Sequence, residues 1–518
     1  VYHGLRPAII AAVMLAPFAT RYGAQAVVCT ADGLAAGAGI AALRAGGCAV
    51  DAAIAAGAVL AVTQPHQCGL GGDLLGLVHR DGEPVPAALN ASGRAGTGAD
   101  PSRLREQGLS HVPFTGHIAA APVPGCVDGW IALHERFGRL ALGTLLEPAR
   151  RHAAEGFAAS PTLAKASREL AGVPGAQELA GLAPGQLVRR PGVAQALEAI
   201  ARDGRRGFYE GEFGEALLEL GAGEYKAGDL ARPQADWVAP LGLEAFGRRL
   251  WTCPPNSQGY LFLTAAAIAS SLDLPDPEAP RWADLLIDAS RQAMADRDAV
   301  WHEGSDGRAL IAPERIAALR GRLGAGGPAP AAVLGDTVSL CVVDRDRLAV
   351  SILQSNFFGW GSKLFVPGFG IPLHNRGSAF SLQLGHPAEY GPGRHPPHTL
   401  SPALATGDDG SVGAALATRG GHIQPQVLLQ LAARSLLAGQ SPADAIAAPR
   451  WAIAEDQVLV EGHASPAWLR GLRELGHRVT VGSPFGDEFG EAQLIVRAAD
   501  HLAAASDPRG LCWGVATL

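Results

Sequence analysis

Lysine is nearly missing from this 518-residue chain: of 42 basic residues only Lys165, Lys226 and Lys363 are lysines. Arginine carries the remaining positive charge amid abundant Ala and Gly, a bias that points to a high-GC genome as source. The net charge is −7 and no long basic run occurs, so nothing in the chain asks for nucleic acid. Cysteine is sparse as well. The seven (Cys29, Cys48, Cys68, Cys126, Cys253, Cys341, Cys512) are odd in number and never form a CxxC pair, which argues against a disulfide framework and a zinc site. No apolar run reaches the roughly 20 residues that span a bilayer. The longest, Cys48 to Val62, is interrupted by Asp51 and reads as a buried helix. No internal repeat or low-complexity domain is evident. The chain is 48% hydrophobic and long enough for two or more domain-sized units.

The N-terminus carries two readings. Arg6 followed by Ala8 to Ala16 resembles a short signal peptide with a small-residue region near Ala19. A first residue that is Val suggests instead an extended reading frame, with Met14 as a start, and this favours a cytoplasmic protein over an exported one.

Further along, Ala35–Ala45 and Ala49–Val62 are Ala-rich helices separated by Gly46-Gly47, the second stopping before Gln64-Pro65. The glycine cluster Cys68-Gly69-Leu70-Gly71-Gly72-Asp73 lacks the phosphate-binding Lys of an anion loop, so it reads as a tight turn. Arg94, in a polar turn, has the planar fork that fits a carboxylate. Asp296 and Asp298 have the spacing of a metal pair without partners, and in His395-Pro396-Pro397-His398 the prolines forbid a helical ligand pair. No metal site and no cofactor site is expected.

The stretch Gly335 to Asp344 draws the most attention. From Thr337 it reads as a buried strand that turns at Asp344-Arg345-Asp346-Arg347 into a second strand, Leu348–Leu353. Gln354 to Ser362 reads as a polar loop. Upstream lies Leu323-Gly324-Ala325-Gly326-Gly327-Pro328-Ala329-Pro330, too rich in Gly and Pro for regular structure. Such a lead is either a linker between domains or the prelude to a cut that makes Thr337 an N-terminal nucleophile, its own amine the base. Gly420-Gly421 before the helix Val427–Ala438 is able to present backbone N–H groups to an oxyanion.

In order along the chain, Leu70-Gly71-Gly72-Asp73, Ser92-Gly93-Arg94, Gly335-Asp336-Thr337, Ser355-Asn356, Asn375-Arg376-Gly377, Ser401-Pro402 and Gly420-Gly421-His422 together resemble the γ-glutamyltransferase family of N-terminal-nucleophile hydrolases. The likeness runs from about Met14 to the C-terminus and is closest to the bacterial acylase-like branch. It implies an α/β fold with a four-layer αββα core, formed from a precursor that cuts itself between Asp336 and Thr337. An uncertain extension, 1–13, would precede a large subunit 14–336. A small subunit 337–518 would begin with the nucleophile, and the two fragments would stay associated. Self-association of the processed molecule is left open.

By the same likeness Thr337 is the nucleophile, Ser355 the hydroxyl bonded to it, Gly420 and Gly421 the oxyanion donors, and Arg94 the holder of the donor's α-carboxylate. Asn356, Arg376, Arg419, His398 and Thr399 fall at substrate-binding positions. The pattern departs from true γ-glutamyltransferases where an acidic residue grips the glutamyl ammonium: Ala379 stands there, with Arg376 at the neighbouring amide position and His398-Thr399 in place of paired serines. Arg94, Arg376 and Arg419 are then expected to crowd the pocket with positive charge. The small-molecule substrate would carry a carboxylate or α-keto acid on its acyl part and lack a free amine. A glutaryl-type amide fits, as does an oxalyl-type group removed by carbon–carbon cleavage, as relatives in actinomycete alkylproline antibiotic pathways are thought to do. A true γ-glutamyl hydrolase or transferase and an unprocessed, non-catalytic relative are the competing readings.

Overall fold

The computed structural model describes residues 19–325, 335–510 and 514–518. The N-terminal readings through Phe18, the Gly326–Pro330 part of the linker, and Cys512 lie outside the described residues.

Two seven-stranded antiparallel sheets form the centre. In chain order the strands are β1 (Arg21–Gly23), β2 (Val27–Thr30), β3 (Asp73–His79), β4 (Ala87–Ala91), β5 (Asp236–Val238), β6 (Leu241–Ala245), β7 (Arg248–Thr252), β8 (Asp336–Val343), β9 (Ala349–Phe357), β10 (Ala403–Thr406), β11 (Val412–Thr418), β12 (Ala492–Arg497), β13 (Leu502–Ser506) and β14 (Gly514–Thr517). The first sheet runs β14-β2-β8-β9-β3-β4-β5 and the second β1-β13-β12-β11-β10-β7-β6.

Period-two alternation divides each strand between two cores. On β8, Val338, Leu340 and Val342 join a core shared with the helices α1 (Gly33–Arg44) and α2 (Ala49–Thr63). Cys341 and Val343 face the other way, into a core shared with Leu404, Ala415, Ala417 and Ile495 of the second sheet. A third core joins the outer face of that sheet to α3 (Tyr260–Ser270), α4 (Pro280–Met294) and α5 (Gln424–Ala432). Three cores between four layers make the αββα sandwich. All fifteen residues of α2 are buried, Asp51 included. Its carboxylate is used locally, accepting from the Cys48 and Arg139 backbone N–H groups.

The β8–β9 hairpin forms as expected, with one correction. Gln354, Ser355 and Asn356 are not a loop, because β9 continues to Phe357 with every residue buried. Polar side chains misled the reading, since each has a buried partner: Gln354 Nε2 donates to the Gly57 carbonyl and Asn356 Nδ2 to that of Pro65. The Asp296/Asp298 pair is tied up in ion pairs instead, Asp296 by both terminal nitrogens of Arg315 and Asp298 by Arg297. Among the described residues no helix is long and apolar enough to cross a membrane.

Candidate active site

Antiparallel pairing collects the expected site residues at one end of the sandwich. In the first sheet β8 begins there with Asp336 and Thr337, β9 brings Ser355 opposite Thr337 two residues before its end, and Asp73 at the start of β3 faces Ser355 in register. Next in the row come β4, which ends at Ala91 just before Ser92, and β5, which starts at Asp236. The second sheet adds the loops after Thr418 and Thr252 and before Ala403 and Ala492.

Thr337 and Ser355 are almost wholly buried. The Thr337 hydroxyl donates to Ser355 Oγ at 3.1 Å, and Ser355 Oγ donates in turn to the Asp336 carbonyl at 2.6 Å. The Phe357 N–H, 2.8 Å from Ser355 Oγ, fixes that hydroxyl's second acceptor direction. A register shift between Asp336 and Thr337 marks a bulge at this peptide, the usual device for re-aiming a side chain near a strand end. Opposite Asp336, Phe357 has φ +78°, a conformation that a bulky side chain adopts only when its surroundings hold it there. The Arg376 guanidinium carbon, 4.0 Å from the Phe357 ring centroid, is part of that hold.

Gly420 (φ +131°) and Gly421 (φ +57°) use left-handed backbone that side-chain-bearing residues avoid. They border the nucleophile's peptide: a Cβ built on Gly335 would stand 3.1 Å from Gly421 Cα and 3.5 Å from its nitrogen. Gln258 braces the pair, its Nε2 donating to the carbonyls of both Gly421 and Thr399. Gly72 is glycine because the chains nearly touch, a Cβ there falling 2.4 Å from the Ser355 carbonyl oxygen.

The largest correction concerns charge. Each of the three arginines expected to crowd the pocket already faces a carboxylate. Arg376 is fully buried and grips Asp73 through Nε (2.8 Å) and Nη2 (3.3 Å) while Nη1 donates to Thr399 Oγ1. Arg419 Nε lies 3.2 Å from Glu491 Oε2, and Arg94 Nη2 lies 2.5 Å from Asp236 Oδ2. His398 and Thr399 are buried in the same assembly, with His398 Nε2 3.1 Å from Asp73 Oδ2 and Nδ1 accepting from the Leu400 N–H. Arg376, His398 and Thr399 are therefore engaged with Asp73 and with one another inside the protein. Asn356 is likewise a clamp: besides Pro65 it holds the Gln67 carbonyl through its backbone N–H, leaving buried Oδ1 without a partner.

Burial alone would raise the Asp73 carboxyl, but Arg376, His398 and His374 outweigh it and hold the group well below the usual carboxylate range. His398 is pulled down to about 4 by burial first and then by Arg376, against the pull of Asp73. Its imidazole is thus neutral in the folded chain, whereas an unfolded one takes a proton near 6.5. The unfolded state binds more protons between those values, so this histidine withdraws stability as pH falls from about 6.5 to about 4. Buried Glu224 and Glu491, each raised to about 7 by burial, work in the opposite direction. The His398 contribution is read by comparison: the stability advantage of wild type over His398→Gln in urea melts should shrink steadily across that window.

Asp236, Gln258 and Glu491 carry no mark in the sequence, and Asp73 stands there only as the last residue of the Leu70-Gly71-Gly72-Asp73 motif, without a role of its own. Asp73 had a signal, being an acid that opens an otherwise apolar strand, but its partner lies 303 residues away. Ser92, His395 and Asp236 also fall in line, with Ser92 Oγ 2.9 Å from Nδ1 and Asp236 Oδ2 3.3 Å from Nε2. Nδ1 also lies 2.7 Å from the Gly93 carbonyl, which only accepts, so that nitrogen carries the proton and is no base for Ser92.

Residues 35–512 match the family model described as gamma-glutamyltranspeptidase. The chain belongs to the γ-glutamyltranspeptidase family. Within this family it is 36% identical over 513 residues to the oxamate amidohydrolase proenzyme of Klebsiella pneumoniae, covering 92% of this chain and 95% of that protein. It is 33% identical over 519 residues to the glutathione hydrolase-like YwrD proenzyme of Bacillus subtilis, covering 94% and 98%. The crystal structure of cephalosporin acylase from Bacillus halodurans superposes with a TM-score of 0.90 at 30% identity, covering 97% of each chain. The γ-glutamyltranspeptidase of Helicobacter pylori superposes with a TM-score of 0.52 at 25% identity over 56% of this chain and 89% of that one. These likenesses place the chain in the acylase-like branch, with the N-terminal-nucleophile hydrolase sandwich and a hydrolase or acyltransferase activity.

Proposed function

We propose that the chain is a proenzyme cut between Asp336 and Thr337, and that the new N-terminal Thr337 hydrolyses an amide whose acyl part carries a carboxylate and no free amine. The observation that carries this reading is the hydroxyl relay from Thr337 through Ser355 to the Asp336 carbonyl. In the precursor, Thr337 Oγ1 attacks the Asp336 carbonyl carbon, polarised by the Ser355 hydroxyl. The Asp336–Thr337 C–N bond breaks, the hydroxyl proton passes to the departing amine, and an ester remains. Water hydrolyses that ester, leaving fragments 1–336 and 337–518 in association.

The freed amine, with an ordinary pKa of about 7.7–8.0, takes the Thr337 hydroxyl proton as the oxygen attacks the substrate carbonyl. Gly420 and Gly421 N–H groups receive the oxyanion, the proton passes to the leaving amine, and water releases the acyl group. Two things support the acyl preference. Ala379 leaves no carboxylate at the family's ammonium-gripping position, and an unpartnered ammonium there would lose several kcal/mol. Oxamate, which the Klebsiella relative is named for, is an amide bearing a carboxylate and no amine.

The test compares kcat/KM for oxamate, a glutaryl anilide and a γ-glutamyl anilide. The carboxylate-bearing, amine-free donors should exceed the γ-glutamyl one by at least about tenfold. A γ-glutamyl preference would overturn the acyl assignment and leave the nucleophile assignment standing.

A further inference from the structure

Resting on the carboxylate reading of that site, we infer that Asp236 is a specificity-determining residue: a built-in carboxylate that occupies Arg94 and competes with the acyl group's own carboxylate for it. Asp236 opens β5, an edge strand paired to β4 with Asn90 opposite Asp236, so it stands at the site end of the first sheet. The contact between Arg94 Nη2 and Asp236 Oδ2 at 2.5 Å is unequal in exposure. The arginine side chain is 14% exposed, the aspartate 44%. Arg94 also keeps a buried Nε with no partner, so the guanidinium has donor capacity that Asp236 leaves unused.

The exposure of Asp236 to solvent lets the pair separate. His395 Nε2 sits 3.3 Å from the same Asp236 oxygen, and the ring is anchored on the other side by the Gly93 carbonyl and Ser92 Oγ. When Arg94 turns to an incoming carboxylate, Asp236, 44% exposed, is taken up by solvent and is not stranded. Affinity for the anion is then the difference between two charge pairs, and Asp236 holds it down. Such a placeholder favours short or weakly held donors that must leave quickly, and its removal exposes an uncompensated guanidinium that draws anions more strongly.

Calorimetric titration of the purified, full-length protein with glutarate, and with uncharged pentane-1,5-diol as control, tests this. Asp236→Asn should bind glutarate about tenfold tighter than wild type, Asp236→Ser should do the same, and Asp236→Glu should return to the wild-type value. Binding of the diol should not change. Adding Arg94→Ala should remove the gain. Glutarate binding that is unchanged or weaker in both Asn and Ser variants, with the wild type still binding, would overturn the role of Asp236 alone. If neither wild type nor any variant binds glutarate, Arg94 is no anion site, and the carboxylate reading falls with the proposal.

Discussion

Thr337→Ala is expected to persist as one unsplit chain, by intact mass spectrometry, and to lose amide hydrolysis by roughly 10⁴-fold or more. Thr337→Ser should still split before residue 337. The loss is twofold in origin, because one hydroxyl serves two reactions. Without Oγ1 nothing attacks the Asp336 carbonyl, although Ser355 still donates to it at 2.6 Å. Without the cut there is no free amine to act as base. Ser355→Ala separates the two roles: it removes the hydroxyl between Thr337 and the Asp336 carbonyl but keeps the nucleophile, so splitting should slow and not stop. A wild-type chain that is active without ever splitting would overturn the scheme.

Asp73→Asn is expected to cost about 3–5 kcal/mol of stability, the penalty for leaving a buried charge without its partner. The change preserves shape but strands Arg376, which is fully buried and depends on that one carboxylate for its charge balance. Arg376 in turn lies over Phe357, whose N–H orients Ser355, so activity should fall with stability. The double variant Asp73→Asn/Arg376→Met should recover most of the lost stability, since removing both charges leaves no orphan. Thermal melts of the two single variants and the double variant check this. A single Asp73→Asn variant as stable as wild type would mean that the cluster tolerates net charge.

Much of the local structure was legible in the sequence. The β8–β9 hairpin, the buried helix α2 and its stop before Gln64-Pro65 followed from β-branching, apolar content and proline, all short-range signals. Polar residues in strands were not legible. Gln354-Ser355-Asn356 looked like a loop because the partners that satisfy them, at Gly57, Asp336 and Pro65, are remote in sequence. Charge balance failed for the same reason. Arg376, Arg419 and Arg94 were visible as arginines, but Asp73, Glu491 and Asp236 lie 303, 72 and 142 residues from them. Ordered motifs named the residues at the sandwich end, and only folding shows which of them cancel one another.

The strand order of the first sheet reaches beyond catalysis. Strands contributed by residues 1–336 (β2, β3) flank a pair contributed by residues 337–518 (β8, β9), and β14 closes the far side of β2. A cut before Thr337 would therefore divide the covalent chain without dividing the sheet. Each product would remain interleaved with the sibling made from the same ribosome's chain. Halves of different molecules should not trade places on mixing, so two inactive variants with lesions on opposite sides of the cut should fail to rescue each other in the same tube. Co-folding them from denaturant, when the halves are free to choose partners, is the condition under which hybrids would form.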